Sequence, residues 1–367
     1  MTMKIADIDT PAVLIEKSIM EKNIRSMQRM ADRHGVDLRV HIKTHKIPEL
    51  AKLQIKMGAV GIAAAKLGEA EVMADAGIKD IQIANIIVGE TKIKRLLKLH
   101  RRCRLTVGVD SIGNAIELSK AFSLAKRVLN VLIIVNTGLN RCGLSDNMAI
   151  IALADNCAAL KSIKLVGLMT HAGHAYAASN KNEIKSIGRY EGERLVEVAD
   201  FLRRRGHNID IVSVGSTPTA KYCSAIKGVT ELRVGNYIFG DMTQVSLNIY
   251  RISNCATNIY TTIISRPSID RAILDAGSKA LALDRGAHGS DAIVGFGKIV
   301  GGGGIIDRLS EEHGFVEKAS RRFKVGDHIR IIPNHICTVM NLFDFAYLVD
   351  GETVLEKMKI AARGRMN

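Results

Sequence analysis

Tryptophan is absent from this sequence, and aromatic residues make up only 4% of it. Chains that hold single-stranded nucleic acid usually offer stacking rings along a basic groove, and this one has few to offer. Proline occurs five times in 367 residues while 47% of the chain is hydrophobic, which excludes a proline-rich spacer and any long disordered region. The six cysteines (Cys103, Cys142, Cys157, Cys223, Cys255 and Cys337) show no CxxC spacing. That excludes a disulfide framework and a closed zinc finger, and makes a reducing cytoplasm the expected compartment. No apolar run is long enough to cross a bilayer, and the opening "MTMKIADIDTPAVLIEK" lacks a basic segment followed by an apolar one. Neither membrane insertion nor export is expected.

Positive charge is in excess, with a net charge of +15. Its densest runs, "KRLLKLHRRCRL" and "FLRRRGH", lie in separate helix-like segments without interleaved aromatics and read as solvated helix faces. A nucleic-acid partner is therefore not expected. The same field would favour small anions and phosphorylated cofactors.

Between about residues 18 and 245, eight short apolar runs rich in β-branched residues alternate with longer stretches of helical periodicity. The runs are "DLRVHIKT", "AVGIAAA", "DIQIANII", "RLTVGVD", "NVLIIVNT", "KLVGLMTH", "IDIVSVGS" and "ELRVGNYIFG". Intervening stretches such as "SIMEKNIRSMQRMADRHG" and "GEAEVMADAG" carry apolar residues at i, i+3 and i+4 and stop at glycine. Near-continuous apolar strands alternating with helices predict an α/β fold, a (β/α)8 TIM-type barrel over residues 18–245. A doubly wound open sheet is the alternative. Beyond residue 245, "CATNIYTTIISR", "RAILDAGSKAL", "AIVGFGKIVG", "GFVEKA" and "DHIRIIPNHICTVMNL" are strand-like, "GGGG" and "VGD" read as turns, and helical periodicity returns only at the tail. This predicts a second, mostly β domain of residues 246–367, joined by residues 1–17 because "TPAVLIEK" also reads as a strand.

In such a barrel the chemistry sits at the C-terminal ends of the strands. Lys43, Arg141, His171, Ser216 and Asn236 all fall at such ends. Lys43 stands in "VHIKTHK", where alternation would send His41, Lys43 and His45 to one side and leave Lys46 beyond the strand as a helix-entry or surface charge. A partly desolvated lysine has its pKa lowered and suits addition to a carbonyl; an ion-paired strand-end lysine is the plainer alternative. The loops "GSTPT" (Gly215–Thr219) and "VGNY" (Val234–Tyr237) follow the seventh and eighth strands, where barrels of this kind commonly bind phosphate, although the same residues also make ordinary turns. In "PNHICTVMN", His335 and Cys337 at i and i+2 of a strand would share one face and could share a divalent ion, leaving coordination positions open; a buried cysteine beside a satisfied histidine is the alternative. "THAGHAY" adds His171, His174 and Tyr176 as candidate bases or loop residues.

In order along the chain, "HIKTHK", "VNTGLNRCGL", "HAGHAY", "GSTPT", "ELRVGNYIFGD" and "PNHICTVMNL" resemble the D-threonine aldolase and D-serine dehydratase family. The resemblance covers nearly the whole chain and implies an alanine-racemase-like, fold-type III pyridoxal 5'-phosphate enzyme: a barrel followed by a β domain that carries a metal site. It makes Lys43 the Schiff-base lysine and Arg141 a contact to the cofactor ring substituents. It makes Gly215, Ser216, Thr217, Gly235, Asn236 and Tyr237 the phosphate-holding loops, and His335 with Cys337 the ligands of a divalent metal, zinc or manganese. The implied activity is a lyase acting on a D-3-hydroxy amino acid: D-threonine aldolase-like cleavage of Cα–Cβ, with His171 as candidate base. A D-serine or 3-hydroxyaspartate dehydratase on the same site is the alternative, since His-x-Cys is more reminiscent of the dehydratases. An amino-acid racemase or a non-catalytic pyridoxal-phosphate-binding protein ranks behind both. The family also implies a homodimer with a small D-amino acid as its ligand.

Overall fold

The computed structural model describes residues 3–287 and 292–367. Eight parallel strands, β2 (Asp37–His41), β3 (Gly61–Ala64), β4 (Asp80–Ile86), β5 (Arg104–Val109), β6 (Leu129–Ile134), β7 (Ile163–Met169), β8 (Ile211–Val214) and β9 (Glu231–Val234), close into a barrel. β9 pairs back onto β2 with Asp37 opposite Glu231 and Val40 opposite Val234. Each of the eight apolar runs is a barrel strand, so the barrel and not the open sheet is the fold. Strands covered on both faces need apolar residues in both directions, which is why β6 reads LNVLII without alternation.

Between the strands run α2 (Pro48–Lys56), α3 (Leu67–Asp75), α4 (Glu90–Leu99), α5 (Ile112–Leu124), α6 (Asn147–Ala159), α7 (Lys181–Arg204) and the short α8 (Ala220–Cys223). Three of them start on side-chain caps: Ser111 accepts from the Asn114 amide, Asp146 from that of Ala149, and Asn180 from those of Asn182 and Glu183. One glycine is compulsory: a Cβ on Gly167 of β7 would lie 2.0 Å from the Ile211 carbonyl oxygen of β8. The barrel interior also holds charge. Arg39 donates to Glu231 at 2.6 Å and to Asp80 at 2.7 Å, and Ser213 donates to the other Glu231 oxygen at 2.7 Å. Burial works against the Arg39 charge, but the two carboxylates outweigh it and hold the guanidinium protonated.

By compactness the chain forms two units, one of Met27–Lys43, Pro48–Gly235 and Gly364–Asn367, the other of Met1–Ser26, Thr44–Ile47 and Asn236–Arg363. The second unit is built on a nine-stranded sheet. It contains β1 (Ala12–Glu16), β10 (Thr257–Ser268), β11 (Arg271–Leu274), β12 (Lys298–Ile299), β13 (Ile305–Leu309), β14 (Gly314–Glu317), β15 (His328–Ile332), β16 (Phe345–Asp350) and β17 (Thr353–Lys359). The main path runs β13-β14-β11-β10-β1-β16-β17, and β15 pairs with β10 and β12. β1 lies antiparallel to β10 and parallel to β16, so "TPAVLIEK" supplies a central strand, with Leu14 packed among Ile5, Tyr260 and Val349. It is followed by α1 (Lys17–His34); α9 (Met242–Ser246), α10 (Ser278–Leu281) and α11 (Ile336–Val339) are short.

Four local expectations change. The tail is the β16–β17 hairpin and not a helix: Asp350 pairs with Thr353 across the two-residue Gly351–Glu352 loop, and Gly351, at its first position, has the positive φ (+56°) that so tight a hairpin turn uses. "RAILDAGSKAL" divides into β11 and α10, and "AIVGFGKIVG" contributes only the two residues of β12. "PNHICTVMN" is not a strand, because β15 ends at Ile332 and residues 336–339 turn helically. Among the described residues, no helix is long and apolar enough to cross a membrane.

Candidate active site

β2 ends at His41, so Lys43 lies two residues past the strand and not within it. The backbone N–H of Lys43 donates to His41 Nδ1 at 3.4 Å, and both side chains are half-buried. Burial, then the positive charges of Lys43 and Arg233, then His171 and Arg141, hold His41 well below the ordinary histidine range. His171, just after β7, is depressed in the same way by burial, Lys43, Arg233 and Arg141, against a partly offsetting bond to Gly215. Its Nδ1 lies 3.1 Å from the Gly215 carbonyl oxygen. A carbonyl can only accept, so Nδ1 carries the proton and Nε2 keeps its lone pair. The barrel thus gathers two neutral imidazoles and three cations, Lys43, Arg141 and Arg233, at one place. Such a set suits a proton acceptor next to an anionic ligand.

Arg141 is exposed in the loop after β6 and lines a pocket with Ala84, Thr137, Met169, Thr170 and His171. Gly215, Ser216 and Thr217 form the turn after β8; Ser216 and Thr217 are buried, and Gly215 has a φ of +119°. Gly235 ends the long Pro48–Gly235 segment of this unit. Arg233 was not anticipated. It is fully buried and donates to Ser213 Oγ at 2.5 Å and to the Thr170 carbonyl. Its signal was a charge at every second position of "ELRVG", an apolar strand in which charge otherwise has no place.

The remaining site residues belong to the second unit. His335 caps α11 and Cys337 lies within it. Although the strand premise fails, the two still meet: burial pulls His335 down, but the negative charge of Cys337, hydrogen bonds to Asp284 and Cys337, and the charge of Asp241 outweigh it and carry the ring up to about 10. Asp284 Oδ2 lies 2.9 Å from His335 Nδ1 and accepts from Thr338 Oγ1 at 2.8 Å, so His335 Nε2 is the nitrogen left for a ligand. Thr44 Oγ1 is 3.2 Å from Cys337 Sγ. Asp241, fully buried, accepts from the Ile336 amide at 3.1 Å, the Gln244 amide at 3.1 Å and Asn236 Nδ2 at 2.6 Å. That last bond fixes the Asn236 amide and leaves its Oδ1 buried and unpartnered among the described residues. Asn236 and Tyr237 sit in a 3₁₀ turn of residues 236–238, with Tyr237 fully buried and Asn236 Nδ2 4.0 Å from Cys337 Sγ.

An imidazole nitrogen braced by a carboxylate, beside a sulfur, is a donor set for zinc or another divalent ion. Among the described residues no three His, Cys, Asp or Glu side chains come together as a metal site, so the pair stands without a third protein ligand of those types. Two other residues of "VHIKTHK" take unexpected places. His45 does not flank Lys43 as a second imidazole: it is fully buried, accepts from the Ile47 amide at 3.1 Å and stacks edge-on to Phe239. Lys46 is not a surface charge; it is 6% exposed, with a φ of +58°.

Residues 15–243 match the family model described as the alanine racemase N-terminal domain, and residues 256–349 match the putative serine dehydratase domain. A D-threonine aldolase from Arthrobacter sp. is 33% identical over 98% of this chain and 94% of its own length. The solved D-threonine aldolase of Filomicrobium marinum superposes with a TM-score of 0.94 at 30% identity, covering 100% of this chain and 98% of that one. The D-threo-3-hydroxyaspartate dehydratase of Delftia sp. is 32% identical over 90% of this chain and 91% of its own. A solved D-threo-3-hydroxyaspartate dehydratase with a cysteine replaced, in the metal-free form, superposes at a TM-score of 0.92 with 30% identity over 97% of this chain and 98% of that one. Another carries a replaced histidine two positions before that cysteine, the spacing of His335 and Cys337.

Proposed function

The chain belongs to the D-threonine aldolase and D-serine dehydratase family of pyridoxal-phosphate-dependent lyases, and on that premise we propose that it cleaves Cα–Cβ of a D-3-hydroxy amino acid such as D-threonine. The observation that carries this reading is the His171 ring, neutral, with Nδ1 committed to Gly215 and Nε2 open as a proton acceptor. The cationic barrel mouth suits an anionic cofactor: Lys43 would attach pyridoxal phosphate covalently, Arg141 would meet its ring substituents, and Gly215, Ser216, Thr217, Gly235, Asn236 and Tyr237 would hold its phosphate. Bound there, the cofactor supplies an electron sink for the carbon whose bond breaks. His335 and Cys337 would hold a divalent ion, zinc or manganese, which would supply a Lewis acid for the substrate hydroxyl. His171 takes the hydroxyl proton at Nε2. The positive charges of Arg141 and Arg233 favour the anionic form of the ligand.

The second reading is dehydration. It is favoured by the His-x-Cys pair, which has the spacing of the two residues replaced in the D-threo-3-hydroxyaspartate dehydratase structures. In that reaction Lys43, as the neutral amine, takes the Cα proton at Nζ, a double bond forms between Cα and Cβ, and the hydroxyl leaves Cβ with its bonding electron pair. Incubating the protein with pyridoxal phosphate, manganese or zinc, and D-threonine separates the two. Acetaldehyde with glycine supports the aldolase; 2-oxobutanoate with ammonia moves the assignment to the dehydratase. Neither product, from D-threonine, D-serine or a 3-hydroxyaspartate, would sink both. The cofactor assignment is lost if the Lys43→Ala variant keeps the visible absorbance of lysine-bound cofactor. We also propose a cytoplasmic homodimer, for which light scattering at twice the 39.9 kDa chain mass is the check.

A further inference from the structure

Glu191, on α7, is fully buried and has no part in the reading above. Its Oε1 accepts from the Gly215 amide at 2.9 Å and from the Ala172 amide at 3.1 Å. Ala172 follows His171 directly, and the carbonyl of Gly215 is the acceptor for His171 Nδ1. One carboxylate oxygen therefore grips both the peptide that carries the imidazole and the residue on which the imidazole leans. The other oxygen accepts from Thr219 Oγ1 at 2.9 Å, and Thr219 Oγ1 in turn accepts from the Ser216 amide at 3.1 Å. The "GSTPT" turn is thus tied to the same carboxylate.

The sequence makes room for this. Gly188 and Gly192 flank Glu191 on α7; a Cβ on Gly188 would meet Tyr222 Cβ at 2.9 Å, and one on Gly192 would meet Ile226 Cγ1 at 2.8 Å and the Cys223 carbonyl at 3.1 Å. Two missing side chains let the helix approach close enough for Glu191 to reach under both loops. A buried carboxylate is costly unless its oxygens are satisfied, and here two backbone amides and a hydroxyl satisfy them.

We propose that Glu191 is a positioning residue of the reaction, one that sets the tautomer and direction of His171 through Gly215 and Ala172 and anchors the phosphate turn through Thr219. The proposal rests on His171 acting as the proton acceptor. The charged and titratable groups facing that ring are Lys43, His41, Arg141 and Arg233, with Glu191 behind Gly215. Lys43, Arg141 and Arg233 carry positive charge and donate, and the acceptor nitrogen of His41 is taken by the Lys43 amide, so the orientation of the ring depends on the backbone carbonyl that Glu191 fixes.

Two conservative variants test this in the protein supplied with pyridoxal phosphate and manganese. Glu191→Gln keeps a carbonyl oxygen for the two amides, while its amide donates to Thr219, whose hydroxyl can turn to the Ser216 carbonyl 3.4 Å away. Glu191→Asp keeps the charge but falls one methylene short. With isotope-labelled imidazoles, the His171 signal assigned by His171→Ala, the wild type and Glu191→Gln should show the Nδ1–H tautomer. Glu191→Asp should show a mixture. It should also lose kcat for D-threonine, on the order of 10²-fold for a displacement near 1 Å, with little change in KM. Glu191→Gln should recover most of that loss. A wild-type tautomer and kcat in Glu191→Asp, or equal damage to the tautomer in both variants, would overturn the proposal. A wild type that makes no product defeats the reading of function instead, and the tautomer comparison still decides the role of Glu191.

Discussion

His335 shows how much of a candidate metal site depends on one hydrogen bond. The ring is oriented by the 2.9 Å contact between Nδ1 and Asp284, 51 residues away in the chain. Carboxylates in this role commonly contribute on the order of 10–100-fold to metal affinity, so Asp284→Ala should weaken manganese or zinc binding by that factor in a chelator competition. Unchanged affinity would show that the ring orients itself. His41 and His171 set a pH dependence of a definite sign. Both are depressed in the folded protein, chiefly by burial and then by Lys43. Below about pH 6.5 the unfolded chain takes up protons on these rings that the folded chain refuses, so stability falls as the pH falls. The urea midpoint of the cofactor-free protein should decrease from about pH 7 to about pH 5, and less steeply in His41→Asn with His171→Asn. At this scale the sequence disclosed residues whose chemistry is unusual for their position, such as Lys43 at the end of an apolar run. Glu191, Asp241 and Asp284 stayed hidden because a carboxylate on a helix or loop is ordinary until its burial is known.

Elements were legible where their signal is local. All eight barrel runs are strands, because a strand buried on both faces must be apolar at consecutive positions. The tail misled because the apolar residues of "FAYLVDGETVLEKM" fit a helical spacing about as well as a paired one, and the deciding feature was the two-residue Gly351–Glu352 turn. "PNHICTVMN" misled for a different reason: a run of mixed polarity this short carries no dependable period, and Asp241 accepting the Ile336 amide helps to set where the helical turn begins. Glycines give the sharpest test of element packing. Gly167→Ala should destabilise the protein by roughly 1–3 kcal/mol or more, since the new Cβ would press on the β8 backbone and cannot be relieved by a rotamer change. Gly113→Ala, in the first turn of α5 with open space around it, should stabilise by about 0.4–1 kcal/mol. Chemical denaturation of the two variants checks both signs, and a harmless Gly167→Ala would mean that β7 and β8 can separate without cost.

Across the whole molecule, the six cysteines form two classes. Burial pushes the Cys103 and Cys157 thiols up to about 11 and Cys255 up to about 12, and moves Cys223 upward as well. Cys142 and Cys337 are only half-buried. A thiol reagent near neutral pH should therefore label two cysteines in the native protein and all six after unfolding, because only thiolates react. Prior loading with zinc should remove one of the two; two labelled thiols in the loaded protein would detach Cys337 from the metal.

The barrel, the β sheet that follows it and the lysine, histidines and cysteine of "HIKTHK", "HAGHAY" and "PNHICTVMNL" can all be read along the chain, since strand period, helix stops and chemically conspicuous residues are local properties. The partners of those residues cannot. Gly215 and Glu191 are 24 residues apart, and Asp241 and Ile336 are 95 apart. What brings each pair together is the close approach of packed elements, and no pattern in a linear sequence records which buried carboxylate will lie beneath which loop.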